Sequence, residues 1–152
     1  MWYKKKKKEK TPLFKGTVSV KKKPNLEEKL DRVFSEFIRL RDSDDQGYSR
    51  CISCGKIVHW KDIHCGHFVN RWHQNTRFNE KNCNGQCINC NSFDEGNNIG
   101  YTRGIIKKYG YGVIDELEIQ KHQYKKYSAF EYEILIKHYQ QKVKELHANK
   151  GI

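Results

Sequence analysis

Two C-x-x-C pairs, Cys51/Cys54 and Cys87/Cys90, bracket a stretch rich in His, Arg and Asn and constrain this chain more than any other feature. Cysteines separated by two residues sit on one turn and can grip the same ion, so two such pairs predict a tetrahedral thiolate site for structural Zn²⁺. The gap between the pairs is longer than in a simple zinc ribbon, which leaves room for a functional insert. That insert carries His64, His67, Arg71, Arg77 and Asn82. A disulfide framework is the alternative use of paired cysteines, but paired C-x-x-C spacing is the zinc signature, and a reducing interior keeps thiols free.

Composition explains why a staple is needed. The 152 residues are one domain's worth, yet 36% are hydrophobic and 32% charged, so the core is small. A bound metal then supplies folding free energy that the core lacks. Nothing approaches the roughly 20 apolar residues of a membrane span, and no apolar stretch follows the N-terminal lysines to form a signal peptide. The protein is therefore expected to stay in the cytoplasm where it is made.

Charge is unevenly spread. The net charge is +12, and ten lysines before residue 24 against the single Glu9 account for +9 of it. Residues 1–24 lack periodicity, with a short strand possible around Thr17–Val20, and read as a disordered basic arm. Such an arm gathers phosphate backbone without reading sequence. A solubilising tail has the same composition.

Residues 25–150 read as the folded domain. Asn25, with Glu28 three residues on, predicts a helix to about Arg41 whose apolar face includes Leu30, Phe34 and Phe37. Cys51–Gly55 reads as a zinc knuckle, with Gly55 turning the chain so that amides approach the thiolates. Ile57 to His67 predicts a strand or two as a hairpin, Arg71 to Asn82 an irregular loop, and Cys90 to Asp94 a short helix after the second knuckle. Two short helices, Tyr101–Tyr109 and Val113–His122, break at glycines. The capping pair Ser128/Glu131 opens the longest helix, to about His147. Its stripe of Tyr132, Leu135, Ile136, Tyr139, Val143 and Leu146 is expected to pack on the first helix, with a dimer seam as the alternative.

The ordered combination Gly66-His67-Phe68, Arg71, Arg77-Phe78-Asn79-Glu80, Asn82, Gln86-Cys87-x-x-Cys90-Asn91 and Gly96-Asn97 resembles the NinG (Rap) family of phage recombination endonucleases, within the wider His-Asn-His, or ββα-metal, nucleases. The match covers about residues 31–147 and is densest at 51–97. It implies an α+β fold with a ββα-metal core at 51–97, zinc knuckles, a helical extension at 100–147 and long flanking N- and C-terminal helices. It also implies a metal-dependent endodeoxyribonuclease that cleaves branched DNA, Holliday junctions in particular, during recombination in a bacterial host cell. Resolving a four-way junction takes two symmetric cuts, so a homodimer is expected from that function.

The residues carry the chemistry. His67 is the expected general base, because a neutral imidazole takes a proton from water near pH 7; a structural histidine or zinc ligand is the alternative. By resemblance, Asn82 fixes that imidazole through the strand bearing it, although asparagine is also an ordinary turn residue. Asn91 matches a catalytic position whose carbonyl oxygen would coordinate Mg²⁺ or Mn²⁺; capping a helix is its plainer role. His64 stands where family members often have Asp, ahead of Asp62 as second ligand, and favours Mn²⁺ or Zn²⁺ over Mg²⁺. Arg71 and Arg77 match phosphate-clamping positions, with surface ion pairs as the alternative. Trp72 and His73 could stack on unpaired bases, with burial of Trp72 preferred. Cys65 and Cys83 fall outside the four-thiolate set, either as small buried residues or, with a histidine, as a second metal site. A non-catalytic zinc module that binds nucleic acid, and a nuclease for linear DNA, are the rival functions.

Overall fold

The computed structural model describes residues 25–152. The basic arm expected at 1–24 and the strand expected around Thr17–Val20 lie outside the described residues. The first helix, α1 (Leu26–Arg41), starts where expected because the Asn25 side chain accepts the Glu28 amide at 2.8 Å. The last, α5 (Ala129–Lys150), begins with both halves of the Ser128/Glu131 capping box and runs three residues past the expected end. These two helices pack along each other. Phe34, Phe37, Phe78, Tyr139 and Val143 share one core, with Phe34 and Tyr139 ring centroids 4.8 Å apart, edge to face. The apolar stripe of α5 is thus used within the chain, against α1.

Between them lie two small antiparallel sheets. Strands β1 (Tyr48–Arg50) and β2 (Ile57–His59) form one hairpin with the first cysteine pair at its tip. Strands β3 (His64–His67) and β4 (Cys83–Gln86) form the other, with His67 opposite Cys83 and His64 opposite Gln86. This corrects the expected hairpin at 57–67: the segment does contain two strands, but each pairs with a partner outside it. The Ile63 amide bonds the His59 carbonyl at 3.0 Å, closing a turn that re-aims the chain between sheets.

The expected loop at 71–82 contains a one-turn helix, α2 (Gln74–Arg77), and the second knuckle runs into a π-helical turn, Asn89–Phe93. Helices α3 (Asn98–Tyr109) and α4 (Gly112–Lys121) form a second core around Tyr101, Ile105, Val113 and Leu117. Helix α3 begins three residues earlier than expected because the Asn97 side chain caps it, accepting the Gly100 amide at 3.1 Å. The result is a mixed α+β fold. Among the described residues, no helix is long and apolar enough to cross a membrane.

Candidate metal centre and cleft

The sulfurs of Cys51, Cys54, Cys87 and Cys90 lie within 4.8 Å of one another, with Cys54 and Cys87 only 3.7 Å apart. Tetrahedral Zn–S bonds of about 2.3 Å require sulfurs about 3.8 Å apart, so this group could hold zinc with little movement. Gly55 adopts φ +76°, and a Cβ there would meet nothing; the left-handed turn, not crowding, asks for glycine. Burial pushes the Cys51 thiol up, but the amides of Cys87, Cys54 and Ser53 outweigh it and hold the thiol below its ordinary value. Burial raises the Cys90 thiol to about 12; the Asn97 amide, 3.3 Å from its sulfur, works against this, while Cys54 and Cys87 add to it. Four adjacent thiols resist joint ionisation, and a divalent cation supplies the missing charge.

Helix α3 is pressed against the first knuckle. A Cβ on Gly104 would fall 1.9 Å from the Ile52 carbonyl oxygen, and one on Gly100 would fall 2.5 Å from that of Ser53. Gly100 and Gly104, four residues apart on one helix face, are the sequence signal for this close approach.

Strand β3 carries His67 to the neighbouring cleft, whereas His64, three residues earlier, falls on the strand's other face and is not among the residues that line it. His67 Nε2 lies 3.1 Å from the Arg77 carbonyl oxygen, which can only accept, so Nε2 carries the proton and Nδ1 keeps the free lone pair. Burial pushes the imidazole below its ordinary value near 6.5, and the Arg77 carbonyl only partly offsets this. The ring is therefore neutral at pH 7. His67, Cys65, Arg71, Asn91, Glu95 and Asn98 line one open, polar cleft, so the imidazole at 67 and the amide at 91 do share a solvent-reached space.

Asn82 is fully buried, and both ends of its amide are used. Oδ1 accepts the Val69 amide at 2.7 Å, while Nδ2 donates to the carbonyls of Val69 (3.0 Å) and Thr76 (2.9 Å). It thereby pins the segment just after His67 to the segment just before Arg77, whose carbonyl holds the imidazole. The side chain acts beyond the strand that bears His67 and not on it. Tyr101 was not anticipated: its buried hydroxyl donates to the carbonyls of Gly66 (2.9 Å) and Asn82 (3.1 Å). Arg41 was also missed, and it donates to the carbonyls of Glu80 and Cys83 while paired with Asp42, which accepts the Gly85 amide. These anchors come from remote helices, and sequence spacing carries no sign of them.

His64 Nδ1 lies 3.2 Å from the Asn91 amide nitrogen. Glu95, at φ +43°, adds a carboxylate to the cleft wall, and no spacing in the sequence places it there.

Two placements, of Arg77 and Trp72, correct the expectations. Arg77 does not face the cleft; its guanidinium is buried, pairing with Asp31 and with Glu27 (3.0 Å), because the turn of α2 aims it at α1. Arg71, roughly half exposed, contacts Asp31 at 2.7 Å and stays at the cleft rim. Trp72 is 82% exposed, not buried, since the Asn70 side chain accepts its amide in a tight turn that throws the indole outward. At Gly66 the buried Gln86 side chain occupies the space a side chain would need, with Oε1 2.3 Å from where a Cβ would stand. Gln86 Nε2 goes on to bond Ser53 Oγ and the Gly96 carbonyl, tying the knuckle to the cleft wall.

A family model described as "Bacteriophage Lambda NinG protein" matches residues 2–149. The chain is 33% identical over 118 residues to Protein ninG of Escherichia phage lambda, covering 76% of this chain and 54% of that protein. Protein ninG of Salmonella phage P22 and of Escherichia phage 933W are each 32% identical over 118 residues, covering 76% of this chain and 54% and 55% of theirs. The chain thus spans about half the length of the curated relatives it matches. No solved structure matches it.

Proposed function

The chain belongs to the NinG family of phage proteins, and from that premise we propose that it is a metal-dependent DNA endonuclease of the His-Asn-His type, acting on branched DNA such as Holliday junctions. The observation that carries this reading is the His67 imidazole. It is neutral, oriented by a carbonyl on Nε2, and it keeps Nδ1 for a proton in a cleft that it shares with Asn91. That is the preparation a general base needs.

In this reading β3, β4 and the turn bearing Asn91 are the ββα-metal unit, with structural Zn²⁺ on Cys51, Cys54, Cys87 and Cys90. His67 takes a proton from water, and the water attacks phosphorus in line. Arg71 steadies the phosphate from the cleft rim, while Arg77 positions the base through its carbonyl. His64 and Asn91 would hold a Mg²⁺ or Mn²⁺ ion that stabilises charge on the departing 3′-oxygen. The exposed indole of Trp72, beside Arg71, offers a stacking face to unpaired bases at a branch point. Paired cuts at a four-way junction call for two copies of the chain.

The test is a side-by-side digest of four-way, Y-shaped and linear DNA in Mg²⁺ and in Mn²⁺, using wild type and His67→Ala, with binding measured in parallel. Nicking by wild type, lost in His67→Ala while binding persists, is the expected result. Wild type that binds but never cuts would return the protein to the class of non-catalytic zinc modules. Preference for linear DNA would remove the branched substrate and leave the nuclease.

A further inference from the structure

The hairpin that carries His67 holds a second group of metal-binding atoms which the proposed reaction leaves unused. Residues 65 and 67 share a face of β3, and the antiparallel register sets Cys83 of β4 directly opposite His67. The sulfurs of Cys65 and Cys83 and a ring nitrogen of His67 all lie within 4.8 Å of one another. A tetrahedral ion held by two thiolates and an imidazole needs separations of about 3.5–3.8 Å, a closing of an ångström or so on a fixed hairpin. His67 Nε2 and Cys83 Sγ both reach the Arg77 carbonyl oxygen, at 3.1 and 3.4 Å, which holds the ring beside the buried sulfur, and Nδ1 makes no hydrogen bond among the described residues. Cys65 and His67 line the open cleft, so an ion can enter and a fourth position can face solvent. Cys83 closes the inner side, fully buried. Burial holds its thiol well above the ordinary range, so ion uptake would release a proton.

We propose that Cys65, His67 and Cys83 form a second, reversible site for Zn²⁺ or another thiophilic divalent ion, and that its occupancy withdraws His67 from proton transfer and switches the nuclease off. Two sulfur donors discriminate against Mg²⁺ and Mn²⁺, which suit oxygen ligands, so the ions that support cutting do not fill this site. The binding half stands on the hairpin geometry alone; the inhibitory half rests on His67 being the base.

The test counts ions and measures nicking on the full chain. After equilibration with excess Zn²⁺ and gel filtration, which strips an ion held by only the His64 and Asn91 donors, elemental analysis is expected to find two zinc ions per wild-type chain and one in Cys65→Ala. Cys83→Ala is expected to match Cys65→Ala; because Cys83 is buried and its replacement could unsettle the core, the half-buried Cys65 carries the decision. Co²⁺ substitution provides a second readout, since loss of one of two sets of thiolate-to-cobalt absorption bands should accompany the Cys65 change. Added Zn²⁺ is expected to slow Mn²⁺-supported nicking by wild type at least tenfold, and to leave Cys65→Ala unaffected. A wild-type chain that takes up one ion, or a Cys65→Ala chain that still takes up two, overturns the site. Equal Zn²⁺ inhibition of both forms overturns the switch. If no form nicks DNA, the nuclease reading and the switch fall together, and the ion count still decides the site.

Discussion

Replacing Asn82 should damage the fold and the setting of the proposed base, His67, together, by an amount that its three hydrogen bonds set. Asn82→Ala leaves the Val69 amide and the carbonyls of Val69 and Thr76 without these partners in the interior. At about 1 kcal/mol or somewhat more for each buried group left unsatisfied, the expected loss of stability is about 3–4 kcal/mol. Asn82→Asp distinguishes this account from simple loss of volume. The carboxylate is nearly isosteric and can still accept the Val69 amide, but its other oxygen faces two carbonyls at about 3 Å, where the amide had donated. At neutral pH the Asp variant should therefore be at least as unstable as the Ala variant. Facing two carbonyls raises the folded-state pKa of the introduced carboxyl above its unfolded value near 4. The protonated form, which can donate one bond, is favoured at low pH, and its stabilisation is lost as pH rises through the folded-state pKa. Urea unfolding of wild type and both variants at pH 5.0 and pH 7.5 measures this, with the Asp-to-wild-type gap narrowing at the lower pH. A change within about 1 kcal/mol for Asn82→Ala, or a pH-independent Asp variant as stable as wild type, would refute the reasoning. Where the variants remain folded, nicking should fall by roughly a hundredfold, because an ångström of misplacement of the base is enough.

Other expectations follow from the same geometry. Gly104→Ala forces a methyl group into the Ile52 carbonyl, so it should lower stability by about 3 kcal/mol and speed zinc release to a colorimetric chelator; release at the wild-type rate would mean that α3 does not brace the knuckle. Nicking should depend on neutral His67 and fall only as pH drops through a value below 6.5, whereas a profile with its midpoint above 6.5 would contradict the burial of the ring. The same depressed pKa contributes stability above the unfolded value near 6.5 that is lost as pH falls through the folded value, and His67→Gln should remove that slope from the unfolding profile. Trp72→Ala should change stability by no more than about 0.5 kcal/mol while weakening binding to DNA with unpaired bases by about 1–3 kcal/mol. Equal weakening on perfect duplex would exclude stacking.

Local signals were legible where the physics is local. The capping pairs at Asn25/Glu28 and Ser128/Glu131 announced the two long helices, and the 3.6-residue stripes announced their shared face. The two C-x-x-C pairs announced a common metal group despite 32 intervening residues, because each pair is itself a local grip. Register was not legible: strands of three or four residues carry too little alternation to name their partners, so β2 and β3 read as one hairpin. The destinations of Arg77 and Trp72 were lost for a related reason. Arg71, Trp72 and Arg77 all sit on one irregular segment, and whether each points inward or outward depends on a turn and a four-residue helix.

By itself, then, the sequence determined the four longer helices and the two paired-cysteine grips, and it offered the histidine proposed as the base, since caps, amphipathic stripes, paired cysteines and side-chain acidity are properties of short segments. Only the tertiary structure decided which nitrogen of His67 is free, that Asn82 and Tyr101 hold its surroundings, that Arg77 faces α1, and that Cys65 and Cys83 converge on the same imidazole. Those facts depend on groups brought together from distant parts of the chain, and a carbonyl oxygen 3.1 Å from a ring nitrogen exists only after the backbone has closed around it.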